Sequence, residues 1–126
     1  MKYISILGST GSIGTQALDV VRGHSDKIKV AAISGNTNIE LLRKQILEFN
    51  PDLCCVMDDN NALELKKHLP PHTRTEIVSG MEGLIAAAEY EKSQIIVTAV
   101  SGMIGLKPTV AAVKKGKTIA LANKET

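Results

Sequence analysis

Three glycines spaced three apart stand in the run Gly8-Ser9-Thr10-Gly11-Ser12-Ile13-Gly14. An aliphatic run, Tyr3 to Leu7, precedes them, and a segment with helical spacing follows. Each glycine has a use in such a place. Gly8 can make the tight turn out of a strand, Gly11 can let the backbone come close to an anion, and Gly14 can let a helix pack against the sheet. The peptide N–H groups around Thr10, Gly11, Ser12 and Ile13 would then point at a pyrophosphate, helped by the helix dipole. Glycine and serine also make ordinary strand-to-helix turns, with Ser12 as a plain N-cap. Position favours the dinucleotide, because the run falls at the first strand-helix junction of an alternating chain.

The second place where chemistry is decided is the end of the second strand, where an Asp or Glu would hold the ribose hydroxyls of NAD. Here it reads Ser34-Gly35-Asn36-Thr37-Asn38, with no carboxylate before Glu40. A neutral, hydrogen-bonding loop leaves room for a 2′-phosphate, so NADP is the expected cofactor even though the loop holds no arginine. Asn38 is open to two readings, a ligand contact or a first-turn helix residue. The loop Ala99 to Gly105 is equally open: its small residues would admit a nicotinamide ring, or make a turn with flexible glycines.

These loops need a scaffold, and the hydrophobic pattern supplies one. Short aliphatic runs alternate with amphipathic segments, the pattern of repeated strand-helix units. Strands are predicted at 3–7, 29–34, 53–57, 76–78, 94–100 and 118–122. The first helix is expected to run to about His24 with Ile13, Ala17, Val20 and Val21 on one face. Thr37 to Glu40 has the form of a capping box opening a second helix lined by Ile39, Leu42, Ile46 and Phe49, which Asn50-Pro51 should end. Asp58 is expected to cap a third helix carrying Leu63, Leu65 and Leu69. Ser79 to Glu82 is a further capping box, leading into Leu84, Ile85 and Ala88. Pro108 suits a first helical position and Gly116 a helix end. The expected architecture is a Rossmann-like, doubly wound parallel sheet with helices on both faces, forming one domain over residues 1–126.

Composition agrees and narrows the function classes. The 126 residues are 44% hydrophobic, with Phe49, Tyr3 and Tyr90 the only aromatics, so Val, Ile, Leu and Ala must build the core. Continuous aliphatic strands suit a parallel sheet covered on both faces. Fifteen basic and thirteen acidic residues leave a net charge of +2 without long like-charged runs, so neither nucleic acid nor membrane is expected as a partner. Lys114, Lys115 and Lys117 read as cations at a helix end. Adjacent Cys54 and Cys55 offer no disulfide framework or zinc site and read as a buried strand in a reducing compartment. His24, His68 and His72 share no metal-ligand spacing. The short apolar run at the N-terminus does not read as an export signal, and a cytoplasmic location is expected.

The pairing of Gly8-Ser-Thr-Gly-Ser-Ile-Gly14 with Leu121-Ala-Asn-Lys-Glu125 resembles the 1-deoxy-D-xylulose 5-phosphate reductoisomerase family. The resemblance spans the chain, including Leu18 to Val21, Val56 to Asp59 and Gly116 to Ile119. It implies an NADPH-dependent oxidoreductase that rearranges 1-deoxy-D-xylulose 5-phosphate and reduces the aldehyde to 2-C-methyl-D-erythritol 4-phosphate. That is the committing reductive step of non-mevalonate isoprene biosynthesis. The resemblance further implies a divalent metal, magnesium or manganese, held by carboxylates of the full-length enzyme, and a homodimer whose association uses parts absent from this chain. By the same resemblance Thr10, Gly11, Ser12, Ile13, Gly35, Asn36, Asn38, Asn123 and Glu125 contact NADPH, and Lys124 contacts the substrate. The family often carries a basic residue beside the glycine after the second strand, where Asn36 and Thr37 stand here. Its metal-binding carboxylates, mobile lid and C-terminal helices fall beyond Thr126, so these residues are expected to bind NADPH without turnover. Two rivals remain: the cofactor part of a semialdehyde-type NADP dehydrogenase, which needs a nucleophilic cysteine, and a stand-alone NADP-sensing module.

Overall fold

A computed structural model describes residues 1–100 and 102–121. Among them, six strands form one parallel sheet: β1 (Lys2–Leu7), β2 (Ile28–Gly35), β3 (Leu53–Val56), β4 (Glu76–Ser79), β5 (Ile95–Thr98) and β6 (Thr118–Leu121), in the spatial order β4-β3-β2-β1-β5-β6. Five helices connect them: α1 (Ser12–Gly23), α2 (Ile39–Phe49), α3 (Asp59–Lys67), α4 (Gly80–Glu89) and α5 (Leu106–Lys114), the last preceded by a 3-10 turn at Gly102–Gly105. The chain leaves β1 in one direction through β2, β3 and β4, then returns through α4 to β5 on the other side of β1. That reversal leaves a crevice at the carboxyl ends of β1 and β5, the usual ligand position in sheets of this topology.

Two apolar layers cover the sheet. On one face Ile4, Ile6, Val30, Ile33, Cys54 and Val56 meet Leu18 and Val21 of α1, Leu42 and Ile46 of α2, and Ala62 and Leu65 of α3. On the other, Leu7, Ala32, Leu53, Cys55 and Ile96 meet Leu84, Ala87 and Ala88 of α4 and Ala112 of α5. Strand residues alternate between faces, so the neighbouring cysteines point into opposite layers. The one irregularity is in β2: Ile4 pairs with Val30 but Ser5 with Ala32, leaving Ala31 as the extra residue of a β-bulge.

Several local expectations are corrected. The inward side of α1 is Gly14, Leu18 and Val21, while Val20 is 56% exposed, because the turn of the helix carries the buried stripe one residue past the predicted one. In α3 the inward residues are Ala62 and Leu65, with Leu63 facing solvent. The N-cap of α2 is Asn38, whose Oδ1 accepts from the Leu41 N–H at 3.2 Å, so Thr37 lies outside the helix. Ser79 is the N-cap of α4 by position, without a side-chain bond. Pro108 is the third residue of α5, where its missing N–H still costs no intrahelical bond. The α2 helix ends at Asn50 as expected, but through a left-handed conformation (φ 50°) in place of an extended one. Asp58 caps α3 by accepting from Asn60 N–H at 3.0 Å, and Gly116 follows α5 with φ 76°.

Candidate nucleotide site

The carboxyl edge brings together the loops after β1, β2 and β5. Gly8 turns out of β1 with φ 88°, a conformation open mainly to glycine, and a Cβ there would lie 3.0 Å from the Ala99 carbonyl oxygen. Its N–H donates to Ser34 Oγ at 2.8 Å, and the Ala99 N–H donates to the Leu7 carbonyl at 2.8 Å. The three glycines differ in what the fold asks of them. At Gly14 a Cβ would fall 2.1 Å from Gly8 O and 2.6 Å from Ser9 Cα, so α1 rests directly on the loop backbone. At Gly11 a Cβ would meet only Gly8 O at 3.7 Å, an ordinary contact, and φ is −79°. The fold requires glycine at 8 and 14 but not at 11, where the loop faces outward.

Gly11 is also the N-cap of α1, with no side chain closing the helix start and no acidic residue in the first turn. By contrast, α2 and α3 are capped by Asn38 and Asp58 and carry Glu40 and Asp59 in their first turns. The first N–H groups of α1 are thus left to solvent or to an anion, at the positive end of the helix dipole. Gly11 and Ser12 are exposed, and Thr10 and Ile13 are half-buried.

In the loop after β2, Gly35 lies close under Leu42, where a Cβ would come within 2.9 Å of its side chain. Asn36 Oδ1 accepts from the Asp58 N–H at 3.2 Å, and the Asn36 carbonyl accepts from Asn61 Nδ2 at 3.1 Å, tying this loop to the start of α3. Both Asn36 and Asn38 commit their side-chain oxygens to protein N–H groups. Their exposed Nδ2 groups have no partner among the described residues and remain as neutral donors. Asn38 therefore does act as a helix-start residue, and that role leaves its amide nitrogen free. β6 ends at Leu121, paired with Thr98 at the end of β5. Asn123, Lys124, Glu125 and Ser101 lie outside the described residues.

Two residues under the loop were not anticipated from the sequence. Ser34 takes the Gly8 N–H, and Gln45 of α2, 3% exposed, bonds Ser9 twice: Ser9 Oγ donates to Gln45 Oε1 at 2.7 Å and Gln45 Nε2 donates to the Ser9 carbonyl at 2.9 Å. The signal for Gln45 was a polar residue inside the apolar stripe Leu42, Ile46, Phe49.

Displaced pKa values lie elsewhere. Burial pushes both the Cys54 and Cys55 thiols up to about 12, which leaves no reactive thiolate of the kind a semialdehyde dehydrogenase needs. The Cys55 thiol donates to the Gly80 carbonyl at 3.5 Å. Tyr90 is pushed to about 12, chiefly by donating its hydroxyl to Asp52 at 2.8 Å. A cavity of about 480 Å³ opens at the opposite end of the sheet among Arg22, Glu48, Phe49, Asp52, Arg74 and Lys92, whose charges pair mainly with one another. Among the described residues no group of three or more His, Cys, Asp or Glu could hold a metal, and no helix is long and apolar enough to cross a membrane.

The sheet order and the loops at its switch point define a Rossmann-like, doubly wound α/β fold. Residues 4–126 match the family model of 1-deoxy-D-xylulose 5-phosphate reductoisomerase, and the chain belongs to that family. It is 56% identical over 126 residues to the 1-deoxy-D-xylulose 5-phosphate reductoisomerase of Lachnoclostridium phytofermentans, covering all of this chain and 32% of that protein. A solved DOX-P reductoisomerase in complex with NADPH, fosmidomycin and magnesium superposes with a TM-score of 0.93 at 36% identity, over 99% of this chain and 31% of that one. The Zymomonas mobilis 1-deoxy-D-xylulose 5-phosphate reductoisomerase in complex with NADPH gives 0.90 at 35% identity, over 98% of this chain and 32% of that one. The chain spans about a third of the length of the curated relatives it matches.

Proposed function

We propose that residues 1–126 form the NADPH-binding domain of a 1-deoxy-D-xylulose 5-phosphate reductoisomerase, whose whole protein acts in the cytoplasm on 1-deoxy-D-xylulose 5-phosphate with NADPH and a divalent metal. The observation that carries this reading is the division of labour among the glycines: Gly8 and Gly14 are demanded by the fold and Gly11 is not. A ligand approaching the backbone at Gly11 accounts for the third. Thr10, Ser12 and Ile13 would receive the pyrophosphate on their N–H groups at the uncapped start of α1, and Gly11, whose own N–H turns back to the Gly8 carbonyl at 3.3 Å, would let the anion come close to its bare backbone. Gly35, Asn36 and Asn38 would receive the adenosine ribose and its 2′-phosphate on amide donors, without a cation. Asn123 and Glu125 are assigned to the nicotinamide half of the cofactor and Lys124 to the substrate, from the family motif alone. The bound cofactor supplies a hydride, and the residues of this stretch orient it; the metal is assigned to none of the described residues.

Titration of the purified protein with NADPH and with NADH, followed by cofactor fluorescence, tests the reading. NADPH is expected to bind about tenfold tighter or more, the scale of one charge-assisted hydrogen bond to the 2′-phosphate. Equal or tighter binding of NADH would overturn the assignment of the loop after β2.

A further inference from the structure

Ser9 is fully buried although it belongs to a loop. Gly14 of α1 lies against its Cα from one side, and Gln45 of α2 holds it from another. The orientation of the Gln45 amide follows from its partners: the Ser9 carbonyl can only accept, so the amide nitrogen must face it, and the oxygen must then take the Ser9 hydroxyl proton. The Ser9 N–H donates to the Ser34 carbonyl at 2.8 Å. The Ser9 N–H, carbonyl and hydroxyl are therefore all paired inside the protein, each with a residue of β2 or α2. Ser34, itself 1% exposed, also fixes the preceding peptide through the Gly8 N–H.

We propose that Gln45 is a positioning residue for cofactor binding: through its two bonds to Ser9 it fixes the peptide planes of the glycine loop, and so the direction in which the Thr10 to Ile13 N–H groups point. The inference rests on the NADPH assignment above and adds to it a residue that touches no ligand. A loop of small residues cannot hold its own N–H groups in one direction, because glycine gives the backbone wide freedom. Rigid support from below removes that freedom before the ligand arrives, and preorganised donors bind an anion without the cost of ordering them. An apolar residue at 45 would fill the same space and complete the stripe of Leu42, Ile46 and Phe49, but would leave the buried Ser9 carbonyl without a donor. The buried amide is thus an exception to the pattern of α2, and the loop it holds is the one that faces the crevice.

The test compares Gln45→Leu with wild type on two ligands, NADPH and adenosine 2′-monophosphate, which lacks the pyrophosphate. Gln45→Leu is expected to weaken NADPH about tenfold, the scale of a buried hydrogen bond whose partner is left unpaired, with adenosine 2′-monophosphate affinity unchanged. Equal losses on both ligands, or no loss on either, would overturn the positioning role. Gln45→Glu supplies a second readout that bulk packing does not move. Its protonated acid presents a donor and an acceptor as the amide does, whereas its carboxylate has no donor for the Ser9 carbonyl. NADPH affinity of Gln45→Glu should approach wild type as the pH is lowered from 8.5 to 6, relative to wild type at each pH, and a flat ratio counts against the proposal. Should both variants fail to fold, Ser9→Ala removes the hydroxyl alone and must weaken NADPH selectively; unchanged affinity there refutes the role. Wild-type protein that binds no NADPH would instead sink the cofactor assignment itself.

Discussion

At the amino ends of the strands, charged side chains find one another; at the carboxyl ends, side chains turn inward to hold the backbone and leave N–H groups facing out. Arg22 of α1 makes a two-pronged pair with Glu48 of α2, also reaches Asp19, and lies 5.1 Å from the Phe49 ring centre. Asp52, at the entry to β3, collects Arg74, Lys92 and the Tyr90 hydroxyl. Lys117 donates to the Tyr90 carbonyl at 2.7 Å just before β6. The opposite edge has Ser34 and Gln45 bonded to peptides of the glycine loop, Asn38 capping α2, and an α1 start that no side chain caps. One end of the sheet is closed chiefly by charged side chains pairing with one another, and the other is shaped chiefly by uncharged side chains that hold the main chain. A cavity of about 480 Å³ lies at the closed end, lined by these mutually paired charges.

Three substitutions sharpen this contrast, beginning with the most damaging. Gly14→Ala places a methyl 2.1 Å from a backbone oxygen that cannot step aside. It should lower stability by about 3 kcal/mol or more and abolish NADPH binding, as read by urea unfolding and fluorescence titration. Gly11→Ala meets only an ordinary contact, so its unfolding midpoint should move by less than about 1 kcal/mol, while NADPH affinity falls at least about tenfold. Retained affinity in that variant would mean that no ligand approaches there, and the distinction between the two ends would lose its functional half. Glu48→Gln, at the closed end, should change stability by less than about 1 kcal/mol because both partners are partly exposed, and leave NADPH affinity untouched. Bonding to Arg22 holds the Glu48 carboxyl below its ordinary value of 4.5. Its contribution is therefore fully present above that value and disappears as pH falls through the lower, folded one. Urea midpoints at pH 7 and pH 3 should differ less in Glu48→Gln than in wild type.

The layered sheet was legible because aliphatic runs and helical spacing are properties of single segments: all six strands fall within a few residues of their predicted places. Two glycines of the loop were legible for a related reason, since the turn at Gly8 and the helix packing at Gly14 each leave a glycine at a fixed place. What escaped depends on contacts between segments distant in sequence. Ser9 and Gln45 are separated by 36 positions, and neither shows in isolation that the other is its partner. The bulge at Ala31 is a matter of register between β1 and β2, and a run such as Val30-Ala31-Ala32-Ile33 looks the same with or without it. Asn38 was read both ways because one amide side chain can cap a helix with its oxygen and offer its nitrogen outward.

The opposed cysteines have a practical consequence. An extended strand cannot turn two consecutive side chains the same way, so Cys54 belongs to the layer of α2 and α3 and Cys55 to the layer of α4. A thiol reagent meeting this protein would find one reporter under each blanket of helices, and the order in which the two are modified would tell which blanket lifts first.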